Sequence, residues 1–273
     1  MSKVAILLTV FNRKDKTLQC LHSLYKQLPI DGYIFDVYLT NDGCTDGTPE
    51  AVAEQFPAVN IINSKGDLFW NRGMYRAWAE AAKQNYDFYL WLNDDIILYN
   101  TAVETLLSES LTCDNLAIIV GAVCSQVDNK MTYGGHKAGE KLAPNGVLQK
   151  CDTFNGNCVL VPSAVFNKIG NLDWRFRHAI GDLDYGYRAS SAGICIYTAS
   201  TYLGTCEANS KLPAWARPEI AFTKRVKNLY SPLGYAEPIP FFYFELRNFG
   251  LITAIKHFAT IHIRVIFPHL WKN

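Results

Sequence analysis

No stretch of the chain reaches the roughly 18 consecutive apolar residues of a membrane-spanning helix, so no ordinary transmembrane segment is expected. An excess of one charge is also missing. The 26 Lys+Arg and 25 Asp+Glu leave a formal charge of +1, whereas a dedicated nucleic-acid binder is usually basic overall. No tract of biased composition or internal repeat occurs, which excludes disordered and solenoid classes. The eight cysteines include no C-x-x-C pair, against a zinc ribbon or a thioredoxin-like motif, and a reduced, cytoplasmic protein is expected. The apolar run Val4–Phe11 is too short for a secretory signal. It continues into Asn12-Arg13-Lys14-Asp15 rather than a small-residue cleavage site, and reads better as a buried first strand.

What is present is enough for a sizeable core. The chain has 273 residues, of which 49% are hydrophobic, consistent with one or two domains. The near-neutral total hides an asymmetry. Residues 213–273 carry eight Lys/Arg and three Asp/Glu, for +5, and 12 of the 36 aromatics, which leaves −4 for residues 1–212. The expected organisation is therefore a body over 1–212, with halves at about 1–100 and 101–212, and a basic, aromatic extension over 213–273.

The first hundred residues alternate strand and helix signals: strand Val4–Phe11, helix Asp15–Gln27, strand Phe35–Leu39, helix to about Phe56, strand Val59–Asn63, helix Gly73–Gln84, strand Phe88–Leu92. Thr48 reads as the N-cap of the second helix, with Pro49 at its first position. This βαβαβαβ rhythm predicts an α/β fold with a mostly parallel, doubly wound sheet and helices on both faces. Leu116–Val123, Val159–Val161 and Cys195–Tyr197 read as further strands, Ser163–Ile169 and Asp182–Ala192 as helices. Ser125–Asp152, rich in Gly, Lys and Asn, reads as a mobile loop.

Ligands of such sheets bind outside the carboxyl ends of the strands. The residues there are Asn12-Arg13, Asn41-Asp42, Ser64-Lys65-Gly66-Asp67 and Asn93-Asp94-Asp95. Adjacent carboxylates such as Asp94 and Asp95 repel unless a cation or bound hydroxyls lie between them. Mg²⁺ held by few carboxylates plus substrate phosphates suits that arrangement. Asp42 has two readings: a turn acid that caps the second helix, or an acceptor for an N–H on the edge of a base.

Taken together, Leu8-Thr9-Val10-Phe11-Asn12-Arg13, Asn41 to Thr48, Asn71-Arg72-Gly73-Met74, Leu92-Asn93-Asp94-Asp95 and Gly181 to Arg188 resemble the motifs of family 2 glycosyltransferases with the GT-A fold, over about residues 3 to 210. The resemblance implies inverting transfer of a sugar from a nucleotide-diphosphate donor to a hydroxyl, in the making of a cell-surface polysaccharide. Thr9, Phe11 and Arg13 would line the nucleotide pocket, with Asn71 also on the donor side. Asp42 would meet a pyrimidine edge, favouring UDP or dTDP, and Asp94 the ribose. Asp95 would hold Mg²⁺ or Mn²⁺, and Gly156, in the turn Asn155-Gly156-Asn157, would line the donor sugar. Asp182 would be the general base, its pKa raised by Asp184; its alternative role is helix N-cap.

Three departures stand out. Gly181 occupies the place of a Glu common in relatives. Phe69-Trp70 precedes Asn71 where many relatives have Arg, and Trp70 reads either as a stacking surface or as a core aromatic. No His appears in Gly204-Thr205-Cys206-Glu207-Ala208-Asn209-Ser210, so Cys206, Glu207 or water would complete a metal site. His178 reads as structural or as an acceptor contact. The extension, through Ile239 to Phe244 and a stretch with Lys256, His257, His262, Arg264 and Trp271, suits either an anionic membrane surface near a lipid-linked saccharide acceptor or a packed protein face. The alternative functions are a nucleotidyltransferase, for which Asn12-Arg13-Lys14-Asp15 lacks glycine, and a non-catalytic carbohydrate-binding protein.

Overall fold

A computed structural model describes residues 1–208 and 212–270. Asn209, Ser210 and Trp271, which the sequence reading included, lie outside the described residues. The first strand, β1 (Ser2–Val10), is fully buried from Val4 to Leu8 because both its faces are covered. Val4, Ile6, Leu8 and Val10 enter one core cluster, while Ala5 and Leu7 enter another. β2 (Tyr33–Asn41), β3 (Asn60–Asn63) and β4 (Phe88–Leu92) complete a parallel set in the spatial order β3-β2-β1-β4. Beyond β4 the sheet continues through Cys158–Pro162, antiparallel to both neighbours, then Ile118–Cys124 and the parallel Ile196–Thr205.

Helices cover both faces, as the alternation predicted. α1 (Lys14–Tyr25), α2 (Thr48–Gln55) and α4 (Ala102–Leu111) bring Leu21, Leu24, Val52 and Leu106 to one side. α3 (Phe69–Ala81), α5 (Ser163–Ile169) and α6 (Gly181–Ser191) bring Met74, Trp78, Val165 and Tyr185 to the other. There Trp78 meets Trp91, Tyr89, Phe166 and Tyr185 with ring centroids 5.1–5.5 Å apart. The chain runs from β1 outward to β2 and β3, then returns across β1 to β4. The crossover opens a crevice at the carboxyl ends of β1 and β4.

Three local expectations change. α3 starts at Phe69, one turn before Gly73. The N-cap of α2 is Gly47, not Thr48; Asp46 Oδ1 accepts from the Thr48 backbone N–H and hydroxyl. The segment read as a mobile loop holds Met131–Tyr133, paired to the main sheet, and a hairpin of Gly135–Lys137 with Glu140–Lys141, on which Thr153–Phe154 pairs.

The C-terminal segment forms α7 (Phe222–Leu229), α8 (Pro238–Phe249) and α9 (Leu251–Ile266). α8 is fastened to the body. Phe244 packs with Phe176 and Ile180, Glu237 pairs with Arg177, and Arg247 reaches both Asp173 and Asp184. Asp184 is fully buried, and its other partner is Arg188 at 2.9 Å. Removing one partner of a buried ion pair costs more than the pair itself contributes. Arg247→Met is therefore expected to lower stability by about 3 kcal/mol in urea unfolding.

Candidate active site

The end of β4 places Asp94 and Asp95 beside the start of α1. Arg13 spans the two: its Nη1 lies 3.0 Å from Asp94 Oδ1, and its Nη2 donates to Asp95 Oδ2. The Thr17 hydroxyl, one turn along α1, donates to Asp94 Oδ2 at 3.3 Å. Asp94 is nearly inaccessible, and burial pushes its carboxyl up to about 6, with Arg13 opposing the rise and Asp95 adding to it. Asp95 keeps 18% of its side chain exposed. It is the carboxylate of the pair that faces the crevice.

Cys206 donates its thiol to Asp95 Oδ1 at 3.5 Å, whereas Glu207 is turned away and accepts from the Ser125 hydroxyl and the Gln126 N–H, each at 2.8 Å. Of the two candidates for the missing His, the structure therefore brings Cys206, not Glu207, to Asp95. Burial pushes the Cys206 thiol up to about 12, with the Asp95 charge adding to the rise. Among the described residues, no group of three or more His, Cys, Asp or Glu is gathered as a metal cage. The hard oxygens of Asp95 fit a Mg²⁺- or Mn²⁺-type ion whose other positions are filled by phosphate or water.

A line of contacts leads from this pair to Asp182. Asn93 Oδ1 accepts from Trp70 Nε1 at 2.7 Å, and the Asn93 N–H donates to Asn157 O at 2.8 Å. Trp70 lies against Gly156, where an added Cβ would fall 2.6 Å from the indole and 3.1 Å from the Asp182 Cβ. Gly156 N donates to Asp182 Oδ2, and Leu183 N to Oδ1, both at 2.8 Å. Trp70 is thus a half-buried wall of the crevice beside Asp182, edge-on to Trp91 at 6.2 Å. Burial raises the Asp182 pKa, against the lowering by the two N–H groups. Ile180, two residues earlier, has φ 80°, strained for a β-branched residue and held between Phe176 and Phe244.

Other expected residues are placed differently. Asn71 does not face the crevice: it is fully buried, and its Nδ2 donates to the carbonyls of Asp173 and Phe176 at 2.8 Å, tying α3 to that loop. Asp42 is 4% exposed and accepts from Leu68 N and Phe69 N at 2.8–3.1 Å. It is a capping acid, but for α3 rather than for α2, and its oxygens are taken up by backbone rather than presented to a base. Asp184 does not raise Asp182; its charge is met by Arg188 and Arg247, and burial acts on Asp182 instead. Thr9 packs beneath Gly73, where a Cβ would lie 2.1 Å from its Oγ1. Phe11 stands 53% exposed at the mouth of the crevice. His178 packs between Phe69 and Tyr235, under the C-terminal segment.

The sequence reading overlooked Thr17 and the strained Ile180. A Thr four residues after Arg13, on the same helical face, was the available signal for the first. Nothing local announces the second.

A crossover crevice with Arg13, the Asp94–Asp95 pair and Asp182 at the carboxyl edge of a mostly parallel sheet is consistent with a GT-A glycosyltransferase. The glycosyl transferase family 2 model matches residues 5–181, and the chain belongs to that family of enzymes. Curated relatives include N-acetylglucosaminyl-diphospho-decaprenol L-rhamnosyltransferases from two strains of Mycobacterium tuberculosis. Each is 22% identical over 198 residues, 60% of this chain and 64% of theirs, so the chain spans just under two thirds of their length. Among solved structures, S. aureus TarS superposes with a TM-score of 0.58 at 15% identity, covering 98% of this chain and 72% of that one. The mannosyltransferase PcManGT from Pyrobaculum calidifontis, in complex with GDP-Man and Mn2+, gives 0.54 at 14%, covering 96% and 80%. TarS in complex with UDP-GlcNAc gives 0.54 at 14%, covering 92% and 73%. These likenesses define the GT-A fold.

The Gly181 departure has a steric cause. A Cβ at this position would lie 1.8 Å from Asn71 Oδ1. Gly181→Ala is expected to cost about 2 kcal/mol, the scale of overpacking in a closed site. The cost should shrink in an Asn71→Ser background, and urea unfolding of all four proteins measures the coupling.

Proposed function

We propose that the protein transfers a sugar from a nucleoside-diphosphate donor to an acceptor hydroxyl with inversion at the anomeric carbon, Asp182 acting as general base. The observation that carries this reading is the placement of Asp182. Its carboxylate is half-buried beside Trp70 and Gly156, and Trp70 in turn bonds Asn93, next to the Asp94–Asp95 pair that Arg13 spans. A donor lying with its diphosphate toward Arg13 and its sugar against Trp70 and the Asn155–Asn157 turn presents its anomeric carbon toward Asp182. Asp182 takes the acceptor proton as the oxygen attacks, and the nucleoside diphosphate departs from the opposite side.

Arg13 is oriented by Asp94 and Asp95, and turns toward the diphosphate as charge develops on the leaving group. A divalent cation at Asp95, when bound, supplies Lewis-acid neutralisation of that charge. Phe11 offers an exposed ring for the base to stack on. With Asp42 engaged on α3, the choice of a pyrimidine base does not follow from that carboxylate, and the donor is proposed at the level of a nucleoside-diphosphate sugar. The acceptor proposed is a saccharide on a lipid diphosphate, the class named in the rhamnosyltransferase relatives.

Asp182→Asn is expected to remove transfer by at least about a hundredfold while leaving donor affinity within a few-fold, measured by product formation and calorimetry. Retained turnover would mean that Asp182 is not the base. A base must be ionised to act, and burial raises the Asp182 pKa. The acid limb of the rate profile is therefore expected above the ordinary Asp value of about 3.9, with transfer lost as pH falls through it. In thermal shift, nucleoside diphosphates are expected to raise the melting temperature, and more so with Mn²⁺; no added effect of Mn²⁺ would remove the metal role of Asp95.

A further inference from the structure

α9 carries three sectors when its residues are set at about 100° per residue. Ala254, Ile261 and Val265 are buried on one sector. Thr253, Lys256, Thr260 and Arg264 define a polar one. The third is apolar and exposed apart from His262, which is half-buried and paired with the Tyr230 hydroxyl: Ile252 is 85% exposed, and Leu251, Ile255, Ile263 and Ile266 are 48–56% exposed. α8 contributes Ile239, Tyr243 and Leu246, each also exposed. Phe242 of α8 meets Phe258 of α9 edge-to-face at 5.9 Å, which joins the two apolar strips across the pair of helices. A contiguous apolar face of this kind marks a docking surface, where scattered exposed residues would not.

The charges on these helices select the occupant. The single acid on α8 and α9 is Glu245, which is buried and lies 3.0 Å from His257. The cations are Arg247, committed to Asp173 and Asp184, Arg264 on the polar sector, and Lys256, which lies at the edge of the apolar strip. A second copy docking by the same face would bring Lys256 to the seam with no exposed acid on either helix to receive it. Anionic headgroups meet both demands: acyl chains take the isoleucines, and phosphates take Lys256 at the edge of the strip. Among the described residues no helix is long and apolar enough to cross a membrane, so the pair lies in the plane of the interface.

We infer that the outer face of α8 and α9 docks on the surface of an anionic lipid bilayer. The same α8 holds Asp184 and Asp173 through Arg247, so the docked surface is rigidly linked to the start of α6 and to Asp182. The inference stands apart from the transfer chemistry, because flotation requires no turnover and its failure leaves that reading intact.

The test is flotation of the full chain with vesicles of phosphatidylcholine alone or with about 30 mol% phosphatidylglycerol. The wild type is expected to float with the anionic vesicles, about fivefold more than with the neutral ones, and to be released in part by high salt. The double substitution Ile252→Glu and Ile255→Glu is expected to stay in solution with an unchanged melting temperature. Lys256→Glu is expected to lose the preference for anionic vesicles. Failure of the wild type to float with either composition, or flotation of the double variant at the wild-type level, overturns the proposal. So does sedimentation of the wild type as a dimer that the double variant converts to monomer, which would assign the face to a second copy.

Discussion

The seating of the α3 N-terminus across the carboxyl edge of the sheet is the constraint on which the crevice depends. It is a matter of close approach. Gly73 lets the helix lie on Thr9, Gly156 lets Trp70 lie against the turn before the antiparallel strand, and Gly181 gives room to Asn71. Asp42 anchors the same helix end through the Leu68 and Phe69 N–H groups, and the favourable end of the helix dipole adds to that anchor. From this one contact zone, elements far apart in the chain converge. Asn93 is fixed through Trp70, Asp182 through Gly156, and the Asp173–Phe176 loop through Asn71. Moving α3 by the width of one methyl group would disturb all three.

Arginine settles the electrostatics at two places, with different results. At the crevice, Arg13 lies over Asp94 and Asp95 with much of its side chain exposed, so it remains available to an arriving anion. Behind Asp182, Arg188 and Arg247 enclose an inaccessible Asp184, which makes a structural joint between α6 and α8. The two acids of Asp182-Leu183-Asp184 thus diverge. Asp182 is held by backbone N–H groups and pairs with no cation among the described residues, and burial raises its pKa. The basic extension supplies Arg247 to this joint, so part of its charge belongs to the body rather than to a separate surface.

Much of the fold was legible because its signals are local. Buried runs such as Ala5-Ile6-Leu7, turns rich in Asn, Asp and Gly, and helical spacing along α1 and α6 each depend on neighbours a few residues away. The rows of polar residues after β1 and β4 were legible for the same reason, since strand ends in a crossover sheet lie together. Where reading failed, the deciding partner was distant. Asn71 looked like a donor-side residue until its side chain met carbonyls 102 and 105 residues away. Asp42 was read either as a base-edge acceptor or as a cap of the nearest helix in sequence, whereas the helix it caps begins 27 residues later. Asp184 looked like a repulsive neighbour of Asp182 because Arg247, 63 residues away, was invisible to spacing.

By itself the sequence determined the alternating α/β body, the edge at which polar residues collect, the family to which they belong and the different character of the last 61 residues. These follow from hydrophobic period and turn chemistry, which act over one or two turns of chain. Only the tertiary structure decided which carboxylates face the crevice and which are spent on arginines or helix ends. It also decided that Trp70 is a wall, that Gly181 is required by a neighbouring amide, and that α8 and α9 keep an apolar face uncovered. Burial and hydrogen-bond partnership set the availability of a polar group, and both are properties of packing between segments remote in sequence.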